Sequence, residues 1–486
     1  MRDDEIRNRL VESNPWWRAT SKDQALNWVA TDPVLRARAP FDLGYRPDLL
    51  DDVATGPIDD KLIVLRGPRR VGKSVLLKDT VSALCSRADV DVRQIIYLPV
   101  DTMRANDLSL VVALGRDLTR SIDPQARVWM LDEITSVPEW TGTLKYLRDN
   151  TSFGEDTVIC TGSSWDQAAN VGRDLLAGRA GRNSTRRLRM LLPMQFRDVV
   201  IATGRQLPLP AVTDPWDLQG EDARRYGGVM EIYANDLDLA WQSYLTSGGF
   251  PRAVAEHQSQ GHVSDAFVGD LLAWLHRNVD PDVAEDSLSL LLDALARRST
   301  SPMNRTSVAE ELGYSNRQSF DLRLQRLVSC LGAIWCHQIN DSGRRVSGAQ
   351  SKLYLIDPLV ASLGGLSRSG LQPPDFTRLT ENAVGIAMAR AIDFAQPGRW
   401  LAQDTIGYLR TGQGSEIDLS PVSVPAGSGP QLTTPLESKW VSQGWRTEAR
   451  TLEAKFDRGI LATRNIFDTS TSVWALPAPV IALLLG

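Results

Sequence analysis

The stretch GPRRVGKS, residues 67–74, constrains this chain more than any other. It fits the pattern G-x-x-x-x-G-K-[ST], it follows the apolar run KLIVLR (61–66), and it opens the helically spaced run KSVLLKDTVSALCSR (73–87). A strand that passes through two glycines into a helix has a chemical use. Gly67 and Gly72 let backbone amides come close to an anion, and the N-terminus of the next helix faces the negative charge. Arg69, Arg70 and Val71 fill the loop between the glycines. Lys73 is placed to reach β- and γ-phosphates and Ser74 to hold Mg²⁺ through its hydroxyl, so ATP and Mg²⁺ are the expected ligands.

The surrounding sequence has the alternation this loop requires. KLIVLRG, RQIIYLPVD, RVWMLDE, DTVICTG and RLRMLLPM read as five strands between residues 61 and 200. Between them KSVLLKDTVSALCSR, LSLVVALGRDLTR and WTGTLKYLRDN carry helical spacing. Strand–helix alternation predicts a parallel five-stranded sheet with helices on both faces. RVWMLDE ends in two acids: Asp132 stands where a Mg²⁺ carboxylate belongs, and Glu133 where a residue orients or deprotonates the attacking water. Two acids after a strand are also the usual start of a helix cap. The next strand ends in TGSS, whose Thr161 and Ser163 either sense the γ-phosphate or cap a turn. Six arginines lie between 173 and 189, among them Arg179 and Arg182. They read as a solvated basic segment, as an arginine finger beside the nucleotide, or as phosphate contacts to nucleic acid.

Composition narrows the rest. The chain has 486 residues, 42% apolar content and a net charge of −5, so a general polyanion-binding surface is excluded and any nucleic-acid contact must be local. Only eight of the 54 basic residues are lysines, so a lysine in a motif is not explained by drift within an arginine-rich composition. Four scattered cysteines without a CxxC pair and four histidines argue against structural zinc. The charged start MRDDEIRNRL has no apolar leader core, and VIALLLG is too short to span a bilayer. A reducing cytoplasmic setting without a membrane partner is expected.

Five segments follow from the pattern. Residues 1–40 form a helical arm whose NPWW anchors it on a core, and 41–205 the P-loop core. A helical lid or connector covers 206–298. Residues 299–362 read as a winged helix, because two helices around a Gly-containing turn precede a hairpin with a polar tip. In it SNRQSFDLRLQRL is the recognition helix, with Arg317, Arg323 and Arg326 for phosphates or bases and a leucine face that equally suits protein docking. After a Gly/Ser/Pro linker, 376–486 form a last α/β domain.

These pieces resemble prokaryotic AAA-type ATPases that carry a C-terminal domain of unknown function with a restriction-endonuclease-like core. The matching stretches are GPRRVGKSVLL, LDEITSVPEW, TGSS, LAGR, LPMQFRD, YLTSGGFPR, KLYLIDP, TEN, SEIDL and PLESKW, in that order from about 61 to 440. The arm with NPWW falls outside them, and WDQAAN after TGSS departs from the Ser/Leu-rich run of the family. The resemblance implies an ATPase core, a winged-helix-like segment and a nuclease-like fold.

In endonucleases of the PD-(D/E)xK kind, one strand supplies an Asp and the next Glu-x-Lys. Two carboxylates then hold Mg²⁺ beside the scissile phosphate while the Lys positions water. SEIDL offers Asp418 with Glu416 on the same face, PLESKW offers Glu437 and Lys439, and the preceding helix carries Glu381 as a further metal-site acid. The expected metal ligands here are Glu381, Asp418 and Glu437, with Asp418, Glu437 and Lys439 catalytic. Two readings stand side by side. One is an ATPase acting on DNA through its winged helix and a Mg²⁺-dependent nuclease-like domain gated by the nucleotide. The other is an ATP-driven switch or scaffold, a homo-oligomer among its forms, whose C-terminal domain is inactive and binds a protein or DNA.

Overall fold

The structure is a computed structural model that describes residues 1–162, 187–282, 285–367, 374–427 and 429–486. Ser163, WDQAAN, LAGR, Arg179 and Arg182 lie outside the described residues. The chain divides into two compact units, residues 1–192 and 193–486.

The first unit is built on five parallel strands, β1 (Lys61–Arg66), β2 (Ile95–Pro99), β3 (Val128–Asp132), β4 (Thr157–Gly162) and β5 (Leu188–Met190), in the order β2-β3-β4-β1-β5. Every residue of β1, β3 and β4 is buried, as expected of strands covered on both faces. Helices Lys73–Ser86, Ala105–Leu118 and Trp140–Asn150 are the crossovers read from the sequence. Leu62, Val64, Ile96, Leu98, Trp129, Leu131 and Val158 pack into one core with the helix residues Leu108, Val111 and Leu144. Burial at this density is worth about 25 cal/mol per Å² of apolar surface. Because β2 is an edge strand, its outer backbone needs partners, and the arm supplies them. The Asn14 side chain accepts from Tyr97 N at 2.7 Å and donates to Tyr97 O at 2.9 Å. The indoles of Trp16 and Trp17 both donate to Ile95 O, at 3.0 and 2.9 Å.

The second unit opens with helices, among them Glu221–Met230, Ala234–Ser247, Pro251–Gln260, Asp265–Val279 and Glu285–Arg298. Helices Arg305–Glu311 and Arg317–Ser329 precede the antiparallel pair β6 (Ala333–Gln338) and β7 (Ser351–Leu355), and Met303 bridges to Ser351 beside it. The sequence reading assigns this hairpin to a separate 299–362 unit. In the structure β6 also pairs in parallel with β8 (Gly407–Arg410), which pairs with β9 (Glu416–Ile417). The boundary between 299–362 and 376–486 therefore runs through one sheet, β7-β6-β8-β9. The reason is burial: β6 and β7 are enclosed along most of their length, whereas a free wing alternates between a wet and a dry face.

Beyond β9, the tip SVPAGSGPQ is a small hairpin of β10 (Ser423–Ala426) and β11 (Gly429–Leu432). The strand β12 (Leu436–Ser438) is bridged to the chain after β9 through Leu419 and Leu436. It then pairs in parallel with β13 (Gly459–Thr463), and β13 with β14 (Val473–Pro477). Some elements escape the sequence reading, among them the helices Phe196–Ala202 and Pro358–Leu366. GILAT forms β13, and the apolar tail folds as the buried helix Ala478–Leu485. Among the described residues no helix is long and apolar enough to cross a membrane.

Several of the short stretches that carry the family resemblance meet in one place. Asp357 of KLYLIDP accepts from Gly249 N of YLTSGGFPR at 2.7 Å and from Leu359 N at 2.9 Å. Gly248 adopts φ +66°, and a Cβ there would lie 2.0 Å from an Asp357 oxygen, so only glycine fits. Met194 N donates to Gly249 O, Arg390 to Pro193 O, and the Trp241 indole to Thr380.

Candidate functional site

The parallel sheet brings the loop after β1, the acids after β3 and the end of β4 to the same carboxyl edge, where open α/β sheets bind ligands. The loop turns through left-handed backbone at Arg70 (φ +70°) and Gly72 (φ +100°). Gly67 admits the chain following β5, since a Cβ there would stand 2.2 Å from Leu191 O. The helix Lys73–Ser86 begins without a capping side chain, which leaves its first-turn amides to an outside acceptor. Arg69 and Arg70 are exposed, Val71 is buried and Ser74 is half-buried at the helix start. Lys73 is buried, and its ammonium donates to Gly67 O and Pro68 O at 3.0 and 2.9 Å. Burial lowers the Lys73 pKa, and the carboxylates of Glu133 and Asp132 oppose that shift.

Asp132 is buried and held on both oxygens. Tyr97 Oη donates to one at 3.0 Å and Thr161 Oγ1 to the other. Thr161 also accepts from Glu133 N at 3.0 Å. The sequence reading leaves Thr161 either against the γ-phosphate or in a turn; in the structure its fully buried hydroxyl links the Asp132 carboxylate to Glu133 N. Glu133 takes left-handed backbone, φ +56°, which is unusual away from glycine. Gly162 makes room for the turn after it, because a Cβ would lie 2.2 Å from Thr135 Oγ1. The Thr135 hydroxyl is buried without a hydrogen-bond partner. These donors and acids fit a nucleotide triphosphate with Mg²⁺: a backbone cradle, a buried ammonium and a fixed carboxylate converge on one edge.

The second unit gathers the other acids. Glu416 and Asp418 share a face, and Glu437 stands on the neighbouring strand with its Oε2 accepting from Asp418 N at 3.2 Å. Lys439 Nζ pairs with Glu437 Oε1 at 2.9 Å, so the two residues of PLESKW do lie on one face. Glu381 approaches from the helix Phe376–Ala395, which Asn382 fastens to β7 by accepting from Leu355 N and donating to Leu355 O. At the centre is a residue the sequence reading missed. Lys352 Nζ, 0% exposed, pairs with Asp418 at 2.7 Å, Glu416 at 2.7 Å and Glu381 at 3.1 Å. Tyr354 Oη donates to Glu381 at 2.9 Å, and Ser438 N to Asp418 at 2.9 Å. Burial pushes Glu381 up to about 8 and Glu437 up to about 7, with the Asp418 charge adding to both. For Asp418, burial acts upward but the two ammonium groups of Lys352 and Lys439 outweigh it, and its pKa falls. Among the described residues no three His, Cys, Asp or Glu side chains are grouped so as to hold a metal ion. Of the expected ligands, Glu381 and Asp418 pair with Lys352, as does Glu416, while Glu437 pairs with Lys439 and accepts from Asp418 N. In this arrangement an internal ammonium stands among three of the acids.

The helix Arg317–Ser329 presents fewer free cations than its sequence suggests. Arg323 makes two bonds to the buried Asp280 at 2.6 and 2.7 Å and lies over the Tyr314 ring, and Arg326 donates to Val279 O. Arg317 pairs with Asp321.

Residues 59–200 match the family model described as AAA domain, and this stretch is an AAA-type P-loop domain. Among solved structures the chain is similar to the Walker-type ATPase of Pyrococcus abyssi, at 15% identity over 63% of this chain and 91% of that one, with a TM-score of 0.38. It is similar to the Aeropyrum pernix Orc1 protein in complex with DNA, at 14% identity over 65% of this chain and 89% of that one, with a TM-score of 0.30. A RuvB variant of Thermotoga maritima matches at 14% identity over 65% of this chain and 92% of that one, with a TM-score of 0.26. No curated protein matches the chain.

Proposed function

We propose that the chain is an ATP-hydrolysing AAA-type switch whose 193–486 unit binds a partner and does not cut phosphodiesters. The hydrolytic half rests on one observation: the buried Lys73 ammonium lies within the field of Glu133 and Asp132 at the carboxyl edge of a parallel sheet. Lys73 and the amides after Gly72 bind and orient the phosphates. Ser74 and Asp132 would hold Mg²⁺, which supplies charge against the phosphate oxygens when bound. Glu133, fixed by its backbone bond to Thr161, orients water for attack.

The non-cutting half rests on Lys352. An ammonium bonded to three acids offsets one unit of their charge from inside the protein and satisfies their oxygens. The nuclease reading needs Glu381, Asp418 and Glu437 turned toward a metal, and two of the three are bonded to Lys352 instead. A DNA partner finds less support than a protein one, because Arg323 and Arg326 are bonded within the unit.

The test has two arms. Phosphate release from ATP should depend on Mg²⁺ and vanish in Lys73→Ala, and an inactive wild type sinks the first half. Supercoiled plasmid and linear DNA should stay intact with Mg²⁺ or Mn²⁺, with or without ATP. Mn²⁺-dependent nicking that disappears in Lys439→Ala overturns the second half.

A further inference from the structure

The N-terminal arm reaches the hydrolytic site through Tyr97. The hydroxyl of Tyr97 is a direct donor to Asp132, at 3.0 Å. Its backbone N and O are both taken by the Asn14 side chain, and Asn14 is itself tied to Leu10 O at 2.7 Å. Its ring carries the Lys78 ammonium 3.7 Å from the centroid. Lys78 belongs to the helix that starts at Lys73 and Ser74, and the arm encloses it. Trp16 and Trp28 stand 5.7 and 5.4 Å from its ammonium, and Asp32 pairs with it at 3.0 Å. The two indoles pack on each other at 5.0 Å.

The free edge of β2 accounts for the amide clamp, but not for the cation on the ring face or the boxed lysine. An amide clamp on the backbone, a cation on the ring face and a boxed lysine together remove the freedom of one tyrosine, whose hydroxyl ends on the carboxylate assigned to Mg²⁺. We propose that Tyr97 is a positioning residue for Asp132 and that the arm, through Asn14, Trp16, Trp28 and Asp32, sets the position of Tyr97. The arm is thereby a working part of the ATPase site. This rests on the hydrolytic reading above. Thr161 holds one oxygen of Asp132 and Tyr97 the other, so losing the Tyr97 bond leaves the carboxylate in place but free to rotate.

The experiment compares wild type, Tyr97→Phe, Asn14→Ala and the double variant. Turnover is measured by phosphate release, and Mn²⁺ affinity by electron paramagnetic resonance on protein loaded with a slowly hydrolysed ATP analogue. Tyr97→Phe should lower kcat about tenfold and weaken Mn²⁺ about tenfold, the scale of one lost hydrogen bond to a charged group. The KM for ATP and nucleotide affinity in EDTA should stay within about twofold, which a general loss of structure would not allow. Asn14→Ala should give the same pattern at smaller size, and the double variant should be no worse than Tyr97→Phe alone, because both act through one bond. Wild-type kcat and Mn²⁺ affinity in Tyr97→Phe overturn the positioning role. Additive losses in the double variant overturn the link from the arm. A wild type without ATPase activity strikes the hydrolytic reading, while the Mn²⁺ comparison still decides the role of Tyr97.

Discussion

The ammonium of Lys73 rests on two carbonyl oxygens of its own loop, a position it can leave without breaking the fold. Lys73→Ala should therefore keep the melting temperature within a few degrees and lower phosphate release about a hundredfold or more. Lys352 is the opposite case, since three carboxylates depend on it. Lys352→Met should destabilise the 193–486 unit by about 3–5 kcal/mol in urea unfolding, because it leaves buried acids without their cation. Mn²⁺ should then raise the melting temperature of that variant and leave the corresponding wild-type transition unmoved. Asp357 gives a pH signature. Burial, opposed by the amides of Gly249 and Leu359, pushes its carboxyl up to about 7 from 3.8. With the folded value above the unfolded one, its contribution is complete below about 3.8 and is lost as the pH rises to about 7. The wild type should lose more melting temperature between pH 5 and pH 8 than Asp357→Asn does, and equal slopes would remove Asp357 as the cause.

Among the elements, the turn after β3 depends on the end of β4. A methyl group at Gly162 meets Thr135, so Gly162→Ala should displace residues 134–136 and lower kcat about tenfold or more while ATP affinity changes little. The strands and crossover helices of the first unit were legible because each is signalled locally: apolar runs of strand length, helical spacing, and glycines where the backbone must turn. The hairpin β6–β7 was legible as a hairpin, but its parallel pairing with β8, about seventy residues away, leaves no local mark. GILAT escaped because five small and apolar residues after a polar helix resemble its continuation. In the acid cluster Glu381, Asp418, Glu437 and Lys439 could be read from spacing and order. Lys352 could have been found by the argument that singled out Lys439, since both belong to the eight lysines of an arginine-rich chain. A compact ammonium suits three converging oxygens better than a planar guanidinium does. Tyr97 carried no signal, because a tyrosine in a strand is ordinary until its neighbour across the sheet is known.

For the whole molecule, two units with their own cores should unfold as two calorimetric transitions. A slowly hydrolysed ATP analogue with Mg²⁺ at about a hundred times its Kd should add about 2.7 kcal/mol to the 1–192 transition alone. A shift of the 193–486 transition instead would place the nucleotide elsewhere. The edge of β2 has a consequence for how the protein is made. Asn14, Trp16 and Trp17 occupy Ile95 O and both backbone groups of Tyr97, so this flank cannot take up a strand from another molecule. The covering segment precedes the strand by about eighty residues and leaves the ribosome ahead of it. Each nascent chain thus carries its own guard against aggregation before the surface it shields exists, and a chain lacking that segment should collect in the insoluble fraction.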